Sequence, residues 1–419
     1  MKMSESEKML QALQQEDLAQ AQLAFQQALR TDDEETLAGL GEELLQLGFL
    51  EEVNEIFQVL LKKNPKQVGY YLPLAEVAIE NNEIETAFEA LESIPKTSEF
   101  YAQALLITAD LYQVLGIPEV SEAKLKEALE YVDEQSVILF ALAELYFTTD
   151  RYQEAYEYYQ KVDAKHFDLP SVSLIERQGV ALSMMGQFEE AVLLLEQALE
   201  EEETDDRLFQ LAFVYLQIEE HEKAIHYLQK LRVLNPQYEA LYLFLAETLQ
   251  KEELLQEAQE VVEEGINENP YRVELYHFAS ENAYRLNEVK KAEQFLIDAL
   301  EIGERMDDTL LILSNLYIDE GFYEEALDAI RQMENQDQPF ALWNRAKASY
   351  ELEEFAEAAK YYALANEQLH HEIDFMKEYG LFLREEGQLE EAIQLLTHYV
   401  AHEPGDLEVQ SILDDLAER

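Results

Sequence analysis

Residues 40–65 read LGEELLQLGFLEEVNEIFQVLLKKNP, and this stretch decides the fold. Its large apolar residues recur three and four positions apart, which predicts two amphipathic helices in succession. Gly48 falls between the two apolar runs, where a tight helix-to-helix turn needs a residue that tolerates a left-handed backbone. Pro65 follows the second run and stops that helix, because proline removes a backbone donor. The stretch therefore predicts a helix–turn–helix pair.

The same arrangement recurs along the whole chain with a period of about 34 residues. Position 8 of the repeat is almost always Gly, Ala or Ser, and position 20 is Ala in ten of twelve units. Two helices approach closely only where both carry small side chains, so these positions predict the contact within each pair. The units begin at residues 2, 34, 68, 102, 136, 172, 205, 239, 273, 307, 339 and 373.

This register predicts a continuous array over residues 1–406 and a capping helix over 407–419. The end of a repeat array needs a helix that covers the last apolar face and presents a polar one to solvent. Leu407, Ile412, Leu413 and Leu416 are expected to share the covered face of this helix.

The charge of the chain is strongly negative, with 89 Asp and Glu against 30 Lys and Arg among 419 residues, a net charge of −59. Such a charge suggests disorder, but 48% of the residues are hydrophobic, and a chain that apolar must bury much of itself. Nucleic acid and anionic lipid are disfavoured as partners, because both need clustered cations.

The sequence carries no sign of catalysis, cofactor binding or export. It has no cysteine, no phosphate-binding glycine loop and no nucleophile elbow, and its first residues contain no apolar run typical of a signal peptide. His398 and His402 are four apart on one helix, but no third ligand accompanies them. We therefore expect a cytoplasmic protein that is not an enzyme, with no cofactor, no metal and no membrane-inserted segment.

The repeat resembles the tetratricopeptide repeat (TPR) over essentially the whole chain. The acidic charge, the length and blocks such as LGFLEEVNEIF at residues 47–57 are similar to acidic multi-repeat bacterial proteins of the YpiA type. The resemblance implies an all-α fold, a right-handed superhelical solenoid of about twelve units whose first helices line the concave side. It also implies protein binding, with ligand contacts at positions 2, 5, 9, 12 and 13 of each first helix.

Position 9 is acidic in four consecutive units, at Glu42, Glu76, Asp110 and Glu144. Four carboxylates at equivalent places predict an acidic ladder suited to a basic or amphipathic peptide. The alternative is that a chain so rich in acids places carboxylates at most of its exposed positions.

The concave positions of the C-terminal units instead gather cations among aromatic and polar residues, the types that dominate binding hot spots. This predicted basic strip is our first choice of partner-binding surface, and it suits an acidic peptide or a free carboxylate. The alternative is that its cations pair with nearby glutamates. The strip comprises Lys251, His277, Tyr284, Arg285, Asn315, Phe340, Trp343, Lys347, Tyr350, Lys377 and Arg384.

The function predicted from these features is a scaffold that holds a partner protein or peptide in the concave groove. A regulatory receptor whose superhelix closes around a short signalling peptide is the alternative. The oligomeric state stays open, although a polar cap and a high charge favour a monomer.

Overall fold

A computed structural model describes residues 3–165, 167 and 172–417. Within these ranges the chain is entirely α-helical apart from turns and one short 3-10 helix, and it divides into two compact units, Met1–Glu203 and Thr204–Arg419. Odd-numbered helices are the first and even-numbered helices the second member of successive pairs. The all-α repeat architecture predicted from the sequence is confirmed.

Unit 1 contains six helix pairs, α1 to α12, with the 3-10 helix Val68–Tyr70 before α5. The helices are Glu5–Gln14, Leu18–Thr31, Glu34–Gln46, Leu50–Lys63, Tyr71–Glu80, Ile84–Glu92, Tyr101–Val114, Pro118–Ala128, Ser136–Thr148, Tyr152–Tyr159, Leu174–Met184 and Phe188–Glu201.

Unit 2 contains six further pairs and a final single helix, α13 to α25. The helices are Asp205–Gln217, His221–Leu234, Leu241–Lys251, Leu255–Glu268, Val273–Arg285, Val289–Ile302, Met306–Asp319, Tyr323–Arg331, Pro339–Glu351, Phe355–Leu369, Ile373–Glu385, Leu389–His402 and Leu407–Ala417.

The turn inside each pair has the backbone conformation predicted for position 15. The residue there has a positive φ, between 58° and 79°, in all twelve pairs. Glycine, asparagine or aspartate occupies eight of these turns, and the other four hold Glu16, Glu219, Glu253 and Glu353. A glutamate in this region is strained, so the packing of the two helices must impose the turn at those four places.

The close approach of the paired helices explains the small residues. All twelve residues at position 20 are buried, with at most 3% of their surface exposed. A Cβ atom on Gly41 would lie 2.5 Å from the Phe57 ring, and one on Gly380 would lie 2.7 Å from Leu396. Position 8 of the first helix thus receives the large residue at position 24 of the second helix, and not the small residue at position 20 that the sequence analysis expected there.

The face of the last helix, α25, differs from the predicted one. Leu407 is 74% exposed, whereas Val409 is fully buried against Met376, Leu396 and Tyr399. Val409, Ile412, Leu413 and Leu416 are spaced three, four and seven apart and form the covered stripe, while Leu407 lies about 200° around the helix from Val409. The expectation for Leu407 was therefore wrong, and residues 418 and 419 of the predicted cap lie outside the described residues.

Candidate functional site

A large groove lies on the first helices of three consecutive pairs in unit 1. It has a volume of about 1380 Å³ and is lined by residues of α3, α4, α5 and α7 and of the loops between them. Positions 2, 5, 9, 12 and 13 of the first helices supply much of its surface, among them Glu35, Glu42, Leu72, Glu76 and Asp110. We call this groove the acidic cavity.

The acidic cavity brings together three of the four carboxylates of the predicted ladder. Glu42, Glu76 and Asp110 line it, and three further carboxylates, those of Glu34, Glu35 and Glu80, join them. Within the described part of the chain, no Lys, Arg or His lines the cavity. Among the described residues, no cationic nitrogen lies within 4 Å of Glu42, Glu76 or Asp110, so their charges are not neutralised locally.

Two of these carboxylates are held in an unfavourable environment. Burial raises the pKa of Glu76, and the nearby charge of Asp110 raises it further. Burial also raises the pKa of Asp110. A raised pKa means that the fold disfavours the ionised form, so the free cavity holds negative charge at a cost in stability.

The remaining lining of the acidic cavity is largely apolar. Side chains from four helices and the intervening loops form the hydrocarbon and aromatic lining between the carboxylates. They are Ala38, Leu45, Leu50, Phe57, Tyr70, Leu72, Pro73, Ile79, Phe100, Ile107 and Val114. Phe57, Leu72 and Ile107 are buried, and the others keep part of their surface exposed. An apolar floor with fixed negative charges can receive a surface that is apolar on one side and cationic beside it.

The fourth member of the predicted ladder, Glu144, lies outside the acidic cavity. Its carboxylate accepts a hydrogen bond from the Tyr159 hydroxyl and lies 3.3 Å from Nε of Arg177. Arg177 belongs to the next helix pair, one repeat later, and neutralises the charge of Glu144. The other three carboxylates of the ladder have no such partner among the described residues. The ladder therefore ends at Asp110.

The cations of the predicted basic strip lie in unit 2, and most of them are paired with carboxylates. Nitrogen-to-oxygen distances are 3.2 Å for Arg285–Glu253, 3.2 Å for Lys347–Glu378, 2.8 Å for Lys377–Asp406 and 3.4 Å for Arg384–Glu385. Lys251 is exposed and has no carboxylate within 4 Å among the described residues. Burial raises the pKa of Glu247, and the charge of Lys251 opposes part of that rise. The pairing leaves little positive charge for a partner.

The aromatic members of the strip are also engaged within the fold. Trp343 donates from Nε1 to Oε1 of Glu378 at 2.9 Å, and its ring meets Phe375 edge-on at 5.5 Å between centroids. The Lys347 ammonium lies over the Trp343 ring at 4.0 Å. The Tyr350 hydroxyl donates to Glu385. Exposed Phe340 lies beside Trp343, with 6.2 Å between the ring centroids.

Three other members of the strip line a different cavity of unit 2, which has a volume of about 440 Å³. His277, Tyr284 and Asn315 line it; Nε2 of His277 lies 2.7 Å from the Thr309 hydroxyl, and burial lowers the His277 pKa. Oδ1 of Asn315 accepts from the Asn344 side chain at 2.6 Å. The strip thus lines two separate cavities, since Lys347 and Tyr350 belong to another one of about 380 Å³.

Four carboxylates that the sequence prediction left out line the 440 Å³ cavity, those of Glu247, Glu274, Glu281 and Asp319. Glu247 and Glu281 both occupy position 9 of their units, the position that defines the ladder in unit 1. The repeat register could therefore have predicted Glu247 and Glu281. The prediction left them out because it followed the cations at neighbouring concave positions.

The described part of the chain contains neither a candidate metal-binding cluster nor a candidate membrane-spanning helix. No group of three or more His, Asp or Glu side chains there could hold a metal ion. His402 is satisfied locally, with Nδ1 3.0 Å from the backbone oxygen of His398. No described helix has the length and apolar character that a membrane crossing requires.

Comparison with known proteins identifies related chains. The family model for YpiA-like tetratricopeptide repeats matches residues 113–167, and the model for YpiA-like C-terminal tetratricopeptide repeats matches residues 339–406. The TPR repeat-containing protein YpiA of Bacillus subtilis is 34% identical over 324 residues, which are 77% of each chain.

Solved structures of low sequence identity are also similar. A chain of the APC/C hetero-tetramer Cut9–Hcn1 covers 98% of this chain and 95% of its own, with a TM-score of 0.41 and 12% identity. YrrB, described as a TPR protein with an unusual peptide-binding site, covers 43% of this chain and 94% of its own, with a TM-score of 0.37 and 21% identity.

Proposed function

Because the chain belongs to the YpiA-like family of tetratricopeptide repeat proteins, we propose that it is a non-enzymatic adaptor that binds a basic, amphipathic segment of a partner protein in the acidic cavity. Proteins of this repeat class act as interaction scaffolds. The observation that carries the specific proposal is the set of three carboxylates, Glu42, Glu76 and Asp110, that line one groove without a cation.

The size of the groove favours a polypeptide over a small molecule. Pockets for small ligands have volumes of roughly 300–1,000 Å³, and the acidic cavity, at about 1380 Å³, exceeds them. It also extends over three helix pairs, which suits an extended or helical segment that contacts successive repeats.

The charge of the groove selects the sign of the segment. A cationic side chain placed beside Glu76 and Asp110 would stabilise the ionised carboxylates that burial disfavours. Apolar residues of the same segment would cover Ile79, Phe100 and Val114, which line the cavity and keep part of their surface exposed. Affinity would then come from apolar burial, and the preference for a basic partner from the carboxylates.

The test uses a fluorescein-labelled amphipathic peptide of lysine and leucine, titrated with the full-length protein and followed by anisotropy. The triple variant Glu42→Gln, Glu76→Gln, Asp110→Asn should weaken binding at least about tenfold, which corresponds to about 1.4 kcal/mol. A glutamate–leucine peptide of the same pattern should not bind.

The matched control removes three charges from the same three units outside the groove. Glu51, Glu85 and Glu119 are exposed at position 18, and none of them lines the cavity. Their replacement by Gln should change the affinity less than about twofold, because distant surface charges are screened. Equal losses in both triple variants would reveal attraction to the overall charge and refute the proposal.

The regulatory receptor is separated from the adaptor by the shape of the complex. A receptor that closes around its peptide should become more compact in small-angle scattering when the peptide binds. We expect an adaptor to keep the same radius of gyration in both states.

A further inference from the structure

A second, smaller pocket in unit 2 combines aromatic rings with negative charge. It has a volume of about 380 Å³ and lies at the C-terminal ends of α19, α21 and α23, beside the start of α20 and the middle of α22. Four aromatic side chains line it: Tyr362 and Phe382 are buried, and Tyr323 and Tyr350 are partly exposed, so a ligand would stack on the latter two. The Phe382 ring is 4.8 Å from the Tyr362 ring and 5.9 Å from the Tyr350 ring between centroids, so these three form one cluster.

Three carboxylates and one ammonium group complete the polar part of the lining. Glu378 is fully engaged: it accepts from Trp343 at 2.9 Å and from Tyr362 at 2.6 Å, and it pairs with Lys347 at 3.2 Å. Glu385 accepts from Tyr350 and lies 3.4 Å from Arg384. These two carboxylates fix the walls of the pocket.

The third carboxylate, Glu351, is left without a cation. It is exposed, and among the described residues no cationic nitrogen lies within 4 Å of it. Its charge acts on the Tyr323 hydroxyl, whose pKa is raised first by burial and then by Glu351. A neutral tyrosine hydroxyl and an unneutralised carboxylate therefore lie beside the aromatic cluster.

We propose that this pocket binds the guanidinium group of an arginine side chain presented by a peptide. A guanidinium is planar and weakly hydrated, so it stacks on aromatic rings while it donates two parallel hydrogen bonds to a carboxylate. A lysine ammonium is compact and strongly hydrated and gains less from the rings. The volume of the pocket, about 380 Å³, is large enough to hold an arginine side chain.

The charge of the pocket favours an arginine within a peptide over free arginine. Three carboxylates face one ammonium group in the lining. The α-carboxylate of free arginine would be repelled by this excess, whereas a peptide arginine carries no charge on its backbone.

Trp343 provides a reporter for this pocket in the unmodified protein. It is the only tryptophan of the chain, and its indole shares Oε1 of Glu378 with the hydroxyl of Tyr362, which lines the pocket. The experiment titrates the full-length protein with N-acetyl-L-arginine N-methylamide and follows the emission of Trp343. A saturable shift is expected, in the millimolar range for a single side chain.

Three further probes define the chemistry. The citrulline analogue has nearly the same shape and no charge, so it should produce no shift. The lysine analogue and free L-arginine should each bind at least about threefold more weakly than the blocked arginine. Binding of citrulline or lysine equal to that of arginine would overturn the guanidinium assignment, and tighter binding of free arginine would overturn the peptide source.

Two variants locate the binding. Glu351→Gln should weaken the arginine probe about fivefold, and Tyr323→Leu should weaken it as well, because each removes one partner of the guanidinium. Glu367→Gln, an exposed change on α22 away from the pocket, should leave the affinity unchanged. Unchanged affinity in both Glu351→Gln and Tyr323→Leu would refute the site. The acidic-cavity triple variant should bind the probe normally, so this proposal and the proposed function fail separately.

Discussion

The acidic cavity of unit 1 and the basic strip of unit 2 differ in whether their charges are compensated. Glu42, Glu76 and Asp110 lie in the cavity without a cation, whereas Lys347 and Lys377 of the strip each lie within 3.2 Å of a carboxylate. In a chain with 89 acids and 30 bases, a cation almost always finds a neighbour of opposite charge. The informative charges are therefore those that line a cavity and have no cation beside them among the described residues.

The same contrast occurs within the predicted ladder itself. Glu144 and Asp110 occupy the same position of consecutive units, yet Arg177 neutralises only Glu144. A burial cost borne without a counter-ion is typical of a binding site, since a ligand can supply the missing charge. This cost is the reason to place the partner in unit 1.

The largest effect should come from reversing two charges of the strip. In the variant Lys347→Glu with Arg384→Glu, Glu378 and Glu385 would each face a new carboxylate. We expect unit 2 to lose about 2 kcal/mol of stability in urea denaturation followed by Trp343 emission, since both pairs are partly exposed. The affinity for the lysine–leucine peptide should stay within about twofold.

Lys347→Met is the control for this variant, because it removes the ammonium without adding a negative charge. Glu378 keeps its hydrogen bonds from Trp343 and Tyr362, so the loss should be smaller. A tenfold loss of peptide affinity in the double reversal, with the fold intact, would place the binding site on the basic strip and contradict its assignment to the acidic cavity.

The repeat register was predictable because each of its positions requires a particular type of residue. Small residues at positions 8 and 20 and turn residues at position 15 act through local sterics, which the sequence displays directly. The glutamates at four turns were not predictable, because only the packing of the helices imposes a positive φ there. In α25, helical spacing places Val409 and not Leu407 on the covered face. The prediction chose Leu407 because it grouped the large aliphatic residues of the segment without testing their spacing.

Charge compensation was harder to predict, since it links residues about one repeat apart. Lys347 meets Glu378, Lys377 meets Asp406 and Arg177 meets Glu144, all across neighbouring first helices or the cap. The period places such residues near each other, but side-chain conformation decides which carboxylate each cation meets. To predict the acidic cavity, one would need to know the repeat period and also that no cation lies beside each of its carboxylates.

A smaller effect of opposite sign is expected in unit 1. The variant Glu76→Gln with Asp110→Asn removes two carboxylates whose ionisation the fold disfavours. Because Asp110 is exposed and its charge is screened by solvent, unit 1 should gain at most about 1 kcal/mol at neutral pH, measured by hydrogen exchange of α5 and α7. Glu144→Gln is the matched control and should lose stability, because it leaves Arg177 without its partner.

The pH dependence of unit 1 follows from the same two groups. Their folded pKa values lie above the unfolded ones, so the destabilisation is complete above the raised values and is relieved as the pH falls through them. Mild acidification should therefore protect α5 and α7 in the wild type and not in the variant. In unit 2, Lys377 lowers the pKa of Asp406 to about 2, so the stability that this one pair contributes is lost as the pH falls from about 4 toward 2. Loss of protection in unit 1 on mild acidification would contradict the assignment.

The smallest effect is that of salt on the whole chain. A net charge of −59 repels itself, and the Debye length falls from roughly 30 Å at about 10 mM NaCl to below 8 Å at about 300 mM. The Tm should rise by a few degrees over this range. Because the carboxylates of the acidic cavity have no cation beside them among the described residues, Glu76→Gln with Asp110→Asn should reduce the salt-dependent rise of the Tm. The control triple variant at the exposed residues Glu51, Glu85 and Glu119 should reduce this rise less for each charge removed. An equal reduction per charge would mean that repulsion is spread evenly over the surface, and the two regions would then differ in local pairing but not in electrostatic cost.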